Sequence, residues 1–130
     1  MVTSSRKGEA KVPATLVNAL AEIVGTEHVS TDEEDLVVYS EDLTCEEPCK
    51  PDVIVMPENV EQIQRIVRLA NKEKVPITPF VAGANMGGLT LTEGGIILDL
   101  KRMNKIIEVN EKAMYAIIEP GVTFGQLEGA

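Results

Sequence analysis

The chain has 130 residues, the size of one ordinary domain, and 44% of them are hydrophobic, enough to bury a core. With no Trp, two Tyr and two Phe, that core must be aliphatic. A formal net charge of −9 without any Lys/Arg cluster argues against nucleic acid as a partner, and no apolar run approaches the ~18 residues needed to span a membrane.

The opening MVTSSRKGEA is polar and lacks the apolar stretch of a secretory signal, so the expected location is cytoplasmic. Residues 1–11 are expected to form a disordered terminus, and 12–50 a helical and loop segment ahead of the main domain. In VPATLVNALAEIVG, the residues Leu16, Ala19, Leu20, Ile23 and Val24 recur at helical spacing. Pro13 suits the first turn of that helix, over 13–24, and Gly25 suits its end. His28 follows and reads as a surface polar residue, since nothing nearby marks a catalytic triad. The carboxylates at 32–35 read as a solvated helix start behind Ser30 and Thr31, both good N-caps, because a helix dipole favours negative charge there.

Cys45 and Cys49 lie four apart in TCEEPCKPD. A metal site needs about four ligands, and His28 is the one other soft ligand, so two free thiols is the plainer reading. A local disulfide or a share in a larger metal site remain alternatives, and no metal ligand is assigned.

From residue 51 the pattern alternates strand and helix. PDVIVMP is a β-rich run between prolines. NVEQIQRIVRLANKEK is the strongest helix, with Asn59 and Gln62 as a capping-box variant and Val60, Ile63, Ile66, Val67 and Ala70 on one face over 59–74. VPITPFV predicts a second strand, paired parallel to the first through the helical crossover. GGIILDL predicts a third, in which Asp99 alternates with Leu98 and Leu100 and so is expected to face solvent. KIIEVN and MYAIIEP predict a hairpin around NEKA, and Met103 and Met114 are expected in the core. GVTFGQLEGA reads as a turn entering a helix whose apolar face, begun by Leu127, is not continued, so the chain is expected to be a fragment or split subunit.

The segment that carries chemistry is AGANMGG, after the second strand. Gly83, Gly87 and Gly88 reach positive φ at little cost, and Ala82 and Ala84 keep the backbone approachable. Successive amides in such a loop can converge on an anion such as a diphosphate. The loop is neither G-x-G-x-x-G nor a P-loop, and taken alone it is as readily a plain glycine-rich connection as a ligand cradle.

Four segments in order extend that reading: PDVIVMPENVEQIQRIVRLANKEKVPITP, AGANMGG, GGIILDLKRMNKIIEVN and MYAIIEPGVTFGQL. Together, from about Leu16 onward, they resemble the FAD-binding domain of the vanillyl-alcohol oxidase / p-cresol methylhydroxylase flavoprotein family. That family includes glycolate oxidase FAD subunits, D-lactate dehydrogenases and 4-cresol dehydrogenase. The resemblance implies an α/β (α+β) fold, the first and smaller subdomain of a PCMH-type FAD-binding domain, with a small mixed sheet and flanking helices. Residues 51–130 would be the first half of that domain.

It further implies that FAD pyrophosphate meets the backbone around Ala82, Gly83, Ala84, Asn85, Met86, Gly87 and Gly88, with Asn85 adding a side-chain donor, and that Pro120, Gly121 and Val122 line the FAD cleft. Without the family, Gly121 reads as a turn glycine and Pro120 as a strand terminator. The usual family loop, P-R-G-x-G-T-S, is changed here: Phe80 and Val81 carry no charge, so pyrophosphate binding would rest on backbone amides. Ala84 stands where some relatives attach FAD to a His, so FAD would be non-covalent at this segment.

The implied activity is that of an oxidoreductase passing hydride from a C–H bond beside oxygen to FAD, with electrons leaving to oxygen or an acceptor protein. No residue of this chain matches a catalytic position. Base and substrate pocket would belong to the rest of the FAD domain and a cap domain, or to a complementary subunit, leaving this fragment inactive alone. A 2-hydroxy acid of the glycolate or D-lactate type ranks first as substrate. The segment KRMNKIIEVNEKAMYAIIEPGVTFGQL looks closer to the branch acting on 4-alkylphenols and aryl alcohols. The competing classes are a non-catalytic split subunit that scaffolds a complementary half-domain, and an unrelated α/β domain with an incidental glycine loop.

Overall fold

The structure, a computed structural model, describes residues 12–43, 47–84 and 87–130. The expected disorder of 1–11 and the expectations for Cys45, Asn85 and Met86 fall outside those residues. Helix α1 (Ala14–Val24) starts where Pro13, with extended backbone, serves as N-cap, one position earlier than a first-turn proline. Gly25 ends it at φ 98°, a conformation that L side chains resist. Leu16, Leu20 and Val24 point inward, as their spacing dictates. A short 3₁₀ turn (Thr26–His28) leads into β1 (Val29–Ser30). His28 is half-buried, and its ring lies 3.4 Å from the Glu27 carboxylate.

Helix α2 (Glu33–Val38) carries Glu33, Glu34 and Asp35 in its first turn. Its N-cap is Asp32, without a side-chain cap bond, rather than Ser30 or Thr31. The Ser30 hydroxyl is engaged instead, donating to Asp35 and accepting from the Asp32 amide. After β2 (Val53–Val55) comes α3 (Val60–Glu73), capped by Asn59, whose Oδ1 accepts from the Gln62 amide at 2.9 Å. The Gln62 side chain accepts from the Glu58 amide at 2.8 Å, one residue earlier than the capping box requires. Ile66 and Ala70 of α3 are buried, whereas Val60 and Val67, expected on the same face, are 55% and 38% exposed. Ile63 is partly buried against the same core, so the buried stripe is narrower than the apolar one.

Strands β3 (Ile77–Phe80) and β4 (Ile96–Asp99) complete a four-stranded mixed sheet in the order β1-β2-β4-β3. β1 is antiparallel to β2, while β2 and β3 both pair parallel with β4. The expected direct pairing of the first two main strands is therefore corrected: they are parallel, but β4 lies between them. The reason is burial. Every residue of β4 and β2 is buried, which demands central positions covered on both faces. β3 carries the exposed Pro79, which cannot donate to a ladder and belongs at an edge.

On one face of the sheet, α1 and α3 pack Leu16, Leu20, Val24, Ile66 and Ala70 against Val53, Val55, Ile96 and Leu98. On the other, Leu36 and Tyr39 pack with Ile54, Ile97 and Phe80. Each fully buried aliphatic side chain contributes about 1.5–3 kcal/mol. The following β5 (Ile106–Asn110) and β6 (Tyr115–Ile118) form the expected antiparallel hairpin as a separate two-stranded sheet. Met103 is buried as expected, but Met114 is 91% exposed, with φ 56° at the hairpin turn. A turn tip reaches no core, which overrides the residue's apolar character. Helix α4 (Phe124–Glu128) follows, with a full capping box between Thr123 and Gln126. Among the described residues no helix is long and apolar enough to cross a membrane.

Candidate functional site

The three parallel strands direct their carboxyl ends to one edge of the sheet, and in open α/β sheets ligands bind outside that edge. The glycine loop leaves from it. Ala82, Gly83 and Ala84 follow Phe80 directly, and the loop returns to the amino end of β4, where the Gly95 amide donates to Asp52 at 2.9 Å. Gly83 has φ 66°. A Cβ there would sit 2.8 Å from the Phe80 ring. Glycine is thus required twice over, by backbone conformation and by the aromatic ring beneath it. Among the described residues the amides of Ala82, Gly83 and Ala84 donate to no protein acceptor. Uncommitted amides on a backbone stripped of side chains are what an anionic ligand needs.

Gly87 and Gly88 lie further along the loop and line an open depression of about 400 Å³ with Glu47, Cys49 and Leu91. Cys49 is a free thiol there. Among the described residues no group of three His, Cys, Asp or Glu side chains is placed to hold a metal ion.

The second expected segment, Pro120, Gly121 and Val122, reaches the same edge. The Gly121 amide donates to the Met103 carbonyl at 2.7 Å, in the turn just after β4, and the Leu100 amide donates to the Phe80 carbonyl at 2.9 Å. A Cβ on Gly121 would lie 2.5 Å from the Lys101 carbonyl oxygen, so its role in the fold is a close backbone approach. Pro120 is exposed. Val122 lines a separate hollow of about 80 Å³ with Ile118, Thr123, Phe124 and Leu127.

One cluster was missed by sequence reasoning. Asp99, expected to face solvent, is 2% exposed. β4 is central, so alternation does not put every second residue in water. Its Oδ2 accepts from the Tyr39 hydroxyl at 2.6 Å and its Oδ1 from the Lys101 amide at 2.9 Å. The Lys101 ammonium stands 3.3 Å from Oδ2, and also 5.3 Å and 5.2 Å from the ring centres of Tyr39 and Phe80. Those rings pack edge to face with centroids 4.8 Å apart. Burial, followed by the bond to Asp99 and its charge, pushes the Tyr39 phenol well above its ordinary range. The signal available in the sequence was a carboxylate inside an otherwise apolar strand, a residue type that is buried only when paired.

A parallel β core with a side-chain-poor loop at its carboxyl edge is the architecture of a cofactor-binding α/β domain. The chain belongs to the FAD binding domain family, which its residues 51–130 match. It is 36% identical over 104 residues to the glycolate oxidase subunit GlcD of Bacillus subtilis, covering 79% of this chain and 22% of that protein. It is 37% identical over 110 residues to the flavoprotein subunit of 4-cresol dehydrogenase (hydroxylating) from Pseudomonas putida, covering 81% and 21%. Among solved structures, p-cresol methylhydroxylase with substrate bound superposes with a TM-score of 0.80 at 36% identity, over 88% of this chain and 23% of that one. The chain thus spans about a fifth of the length of the relatives it matches, and its cofactor is FAD.

Proposed function

We propose that this chain supplies the pyrophosphate-facing half of the FAD site in a flavin-dependent oxidoreductase. The observation that carries the proposal is the loop at Ala82, Gly83 and Ala84, whose amides are uncommitted and whose backbone is held open by a glycine over the Phe80 ring. FAD, when bound, would supply the acceptor for a hydride drawn from a substrate carbon. This chain's part is to bind and orient. Ala82, Gly83, Ala84, Gly87 and Gly88 offer main chain to the diphosphate, Asn85 and Met86 complete the loop sequence, and Pro120, Gly121 and Val122 bound the cleft. Ala84 carries no nucleophile, so the cofactor is held here without a covalent bond. No general base is assigned to this chain. The base and the substrate pocket belong to partner segments, either the remainder of the domain or a complementary subunit.

The substrate class we favour is a 2-hydroxy acid of the glycolate or D-lactate type, on the strength of similarity to a glycolate oxidase subunit. A second reading, a 4-alkylphenol, is favoured by the similarity to 4-cresol dehydrogenase and by the superposition on p-cresol methylhydroxylase. Anaerobic mixing of the full FAD-loaded protein with glycolate, D-lactate or 4-cresol separates them. Bleaching of the flavin absorbance by a hydroxy acid alone supports the first reading, and bleaching by the phenol alone replaces it with the second. A protein that takes up no FAD refutes both.

A further inference from the structure

We propose that Lys101 is the cation of the diphosphate site, a role that the glycine loop does not fill from its own sequence. From Pro79 to Gly95 the chain contains no Lys or Arg, and neither does 120–122. The chain carries a net charge of −9, so a diphosphate approaching it needs a local positive charge. Lys101 stands between the two segments expected to meet FAD. Its ammonium lies against the Phe80 ring, which is the ring pressed against Gly83. Its carbonyl is the atom closest to the Cβ position of Gly121.

The side chain is held but not used up. Both Asp99 oxygens already have hydrogen-bond donors, one from the Tyr39 hydroxyl and one from the Lys101 amide. The ammonium has three donors, of which the contact with Asp99 needs one, and the Lys101 side chain remains 54% exposed. Two aromatic faces and one buried carboxylate fix its position in advance, so little freedom is lost when an anion arrives. The adjacent cation, Arg102, is engaged in the fold, binding the Met56 carbonyl and Glu58.

This inference rests on the FAD reading above, and its test separates the two. In the full protein, FAD and riboflavin, which lacks the diphosphate, are titrated against wild type, Lys101→Met and Lys101→Arg by flavin fluorescence. Loss of a charge-assisted contact predicts that Lys101→Met weakens FAD binding by about tenfold or more. It also predicts unchanged riboflavin binding, a shallower salt dependence and recovery by Lys101→Arg. Unchanged FAD affinity in Lys101→Met overturns the role of Lys101 and leaves the FAD reading intact. Equal losses for FAD and riboflavin also overturn it, since they place the effect in the fold. Wild-type protein that binds no FAD removes the reading beneath it.

Discussion

The Tyr39 hydroxyl donates to Asp99 Oδ2 at 2.6 Å and ties the C-terminal cap of α2 to the carboxyl end of β4. Asp99 is buried, and its two oxygens are satisfied by this bond and by the Lys101 amide. Removing the hydroxyl alone takes away the shorter of the two donors to Asp99 Oδ2 and leaves that oxygen to the Lys101 ammonium at 3.3 Å, while the edge-to-face packing on Phe80 is kept. Tyr39→Phe is therefore expected to cost about 1.5–3 kcal/mol, the range for a hydrogen bond to a charged group. Urea unfolding of wild type and variant checks this. A loss near zero would mean that water reaches Asp99 and replaces the phenol.

The same bond predicts a dependence on alkaline pH. Burial and the neighbouring Asp99 raise the Tyr39 phenol above its reference of 10.0 in the folded chain. The folded state thus holds the proton more tightly than the unfolded state. Its stabilising share is complete below about pH 10 and is lost as pH climbs toward the folded value. The stability gap between wild type and Tyr39→Phe should therefore shrink as pH rises past 10.0. In a Tyr115→Phe background, where Tyr39 is the remaining tyrosine, tyrosinate absorbance should appear together with the loss of helical circular dichroism. Ionisation of the phenol with the fold intact would contradict this.

How legible these features were depended on how local their causes are. Helices α1 and α3 could be read because Leu16, Leu20, Ile66 and Ala70 recur at the period of a helix and Asn59 supplies a cap through its own side chain. The position of β4 between β2 and β3 could not, because strand order is set by contacts far apart in sequence; Pro79, which cannot donate to a ladder, was a signal for an edge strand that went unused. Asp99 was misplaced by a rule that assumes one wet face per strand, which a central strand does not have. In the candidate site, the shortage of side chains around Gly83 was legible. The inward turn of Phe80, and with it the link through Tyr39 to Asp99 and Lys101, arises from packing between Tyr39 and residues 41 and 60 positions further on, and leaves no periodic trace.

Gly121 offers a purely steric test. A Cβ at this position meets three backbone oxygens, those of Lys101, Met103 and Leu100, at 2.5, 2.8 and 2.9 Å. Backbone cannot swing aside as a flexible side chain does. Gly121→Ala is expected to destabilise by about 1–3 kcal/mol, as overpacking does. It should also weaken the bond from the Gly121 amide to the Met103 carbonyl, which joins the segment after β6 to the turn after β4. Thermal melting reads the first effect, and faster hydrogen exchange at the Gly121 amide position reads the second. A variant as stable as wild type, with unchanged exchange, would show that the turn yields freely.

Gly83 and Phe80 should be energetically coupled in cofactor binding, because the geometry makes one the constraint on the other. Gly83→Ala meets two obstacles: a left-handed backbone at φ 66°, and a Phe80 ring carbon 2.8 Å from the new methyl group. The first belongs to position 83 alone and costs about 1–2 kcal/mol for a residue with a Cβ. The second vanishes once the ring is removed. Gly83→Ala should lower FAD affinity in the full protein by about tenfold, one decade per 1.4 kcal/mol of strain passed to the loop. Phe80→Leu should lower it less, by leaving the loop unsupported. The double variant should be weaker than wild type yet stronger than the two losses combined predict, with a coupling of about 0.5–3 kcal/mol. Titrations of all four proteins with FAD close the cycle. Strict additivity would mean that Phe80 does not press on Gly83 in the FAD-bound protein, and that the loop holds its shape by some other contact.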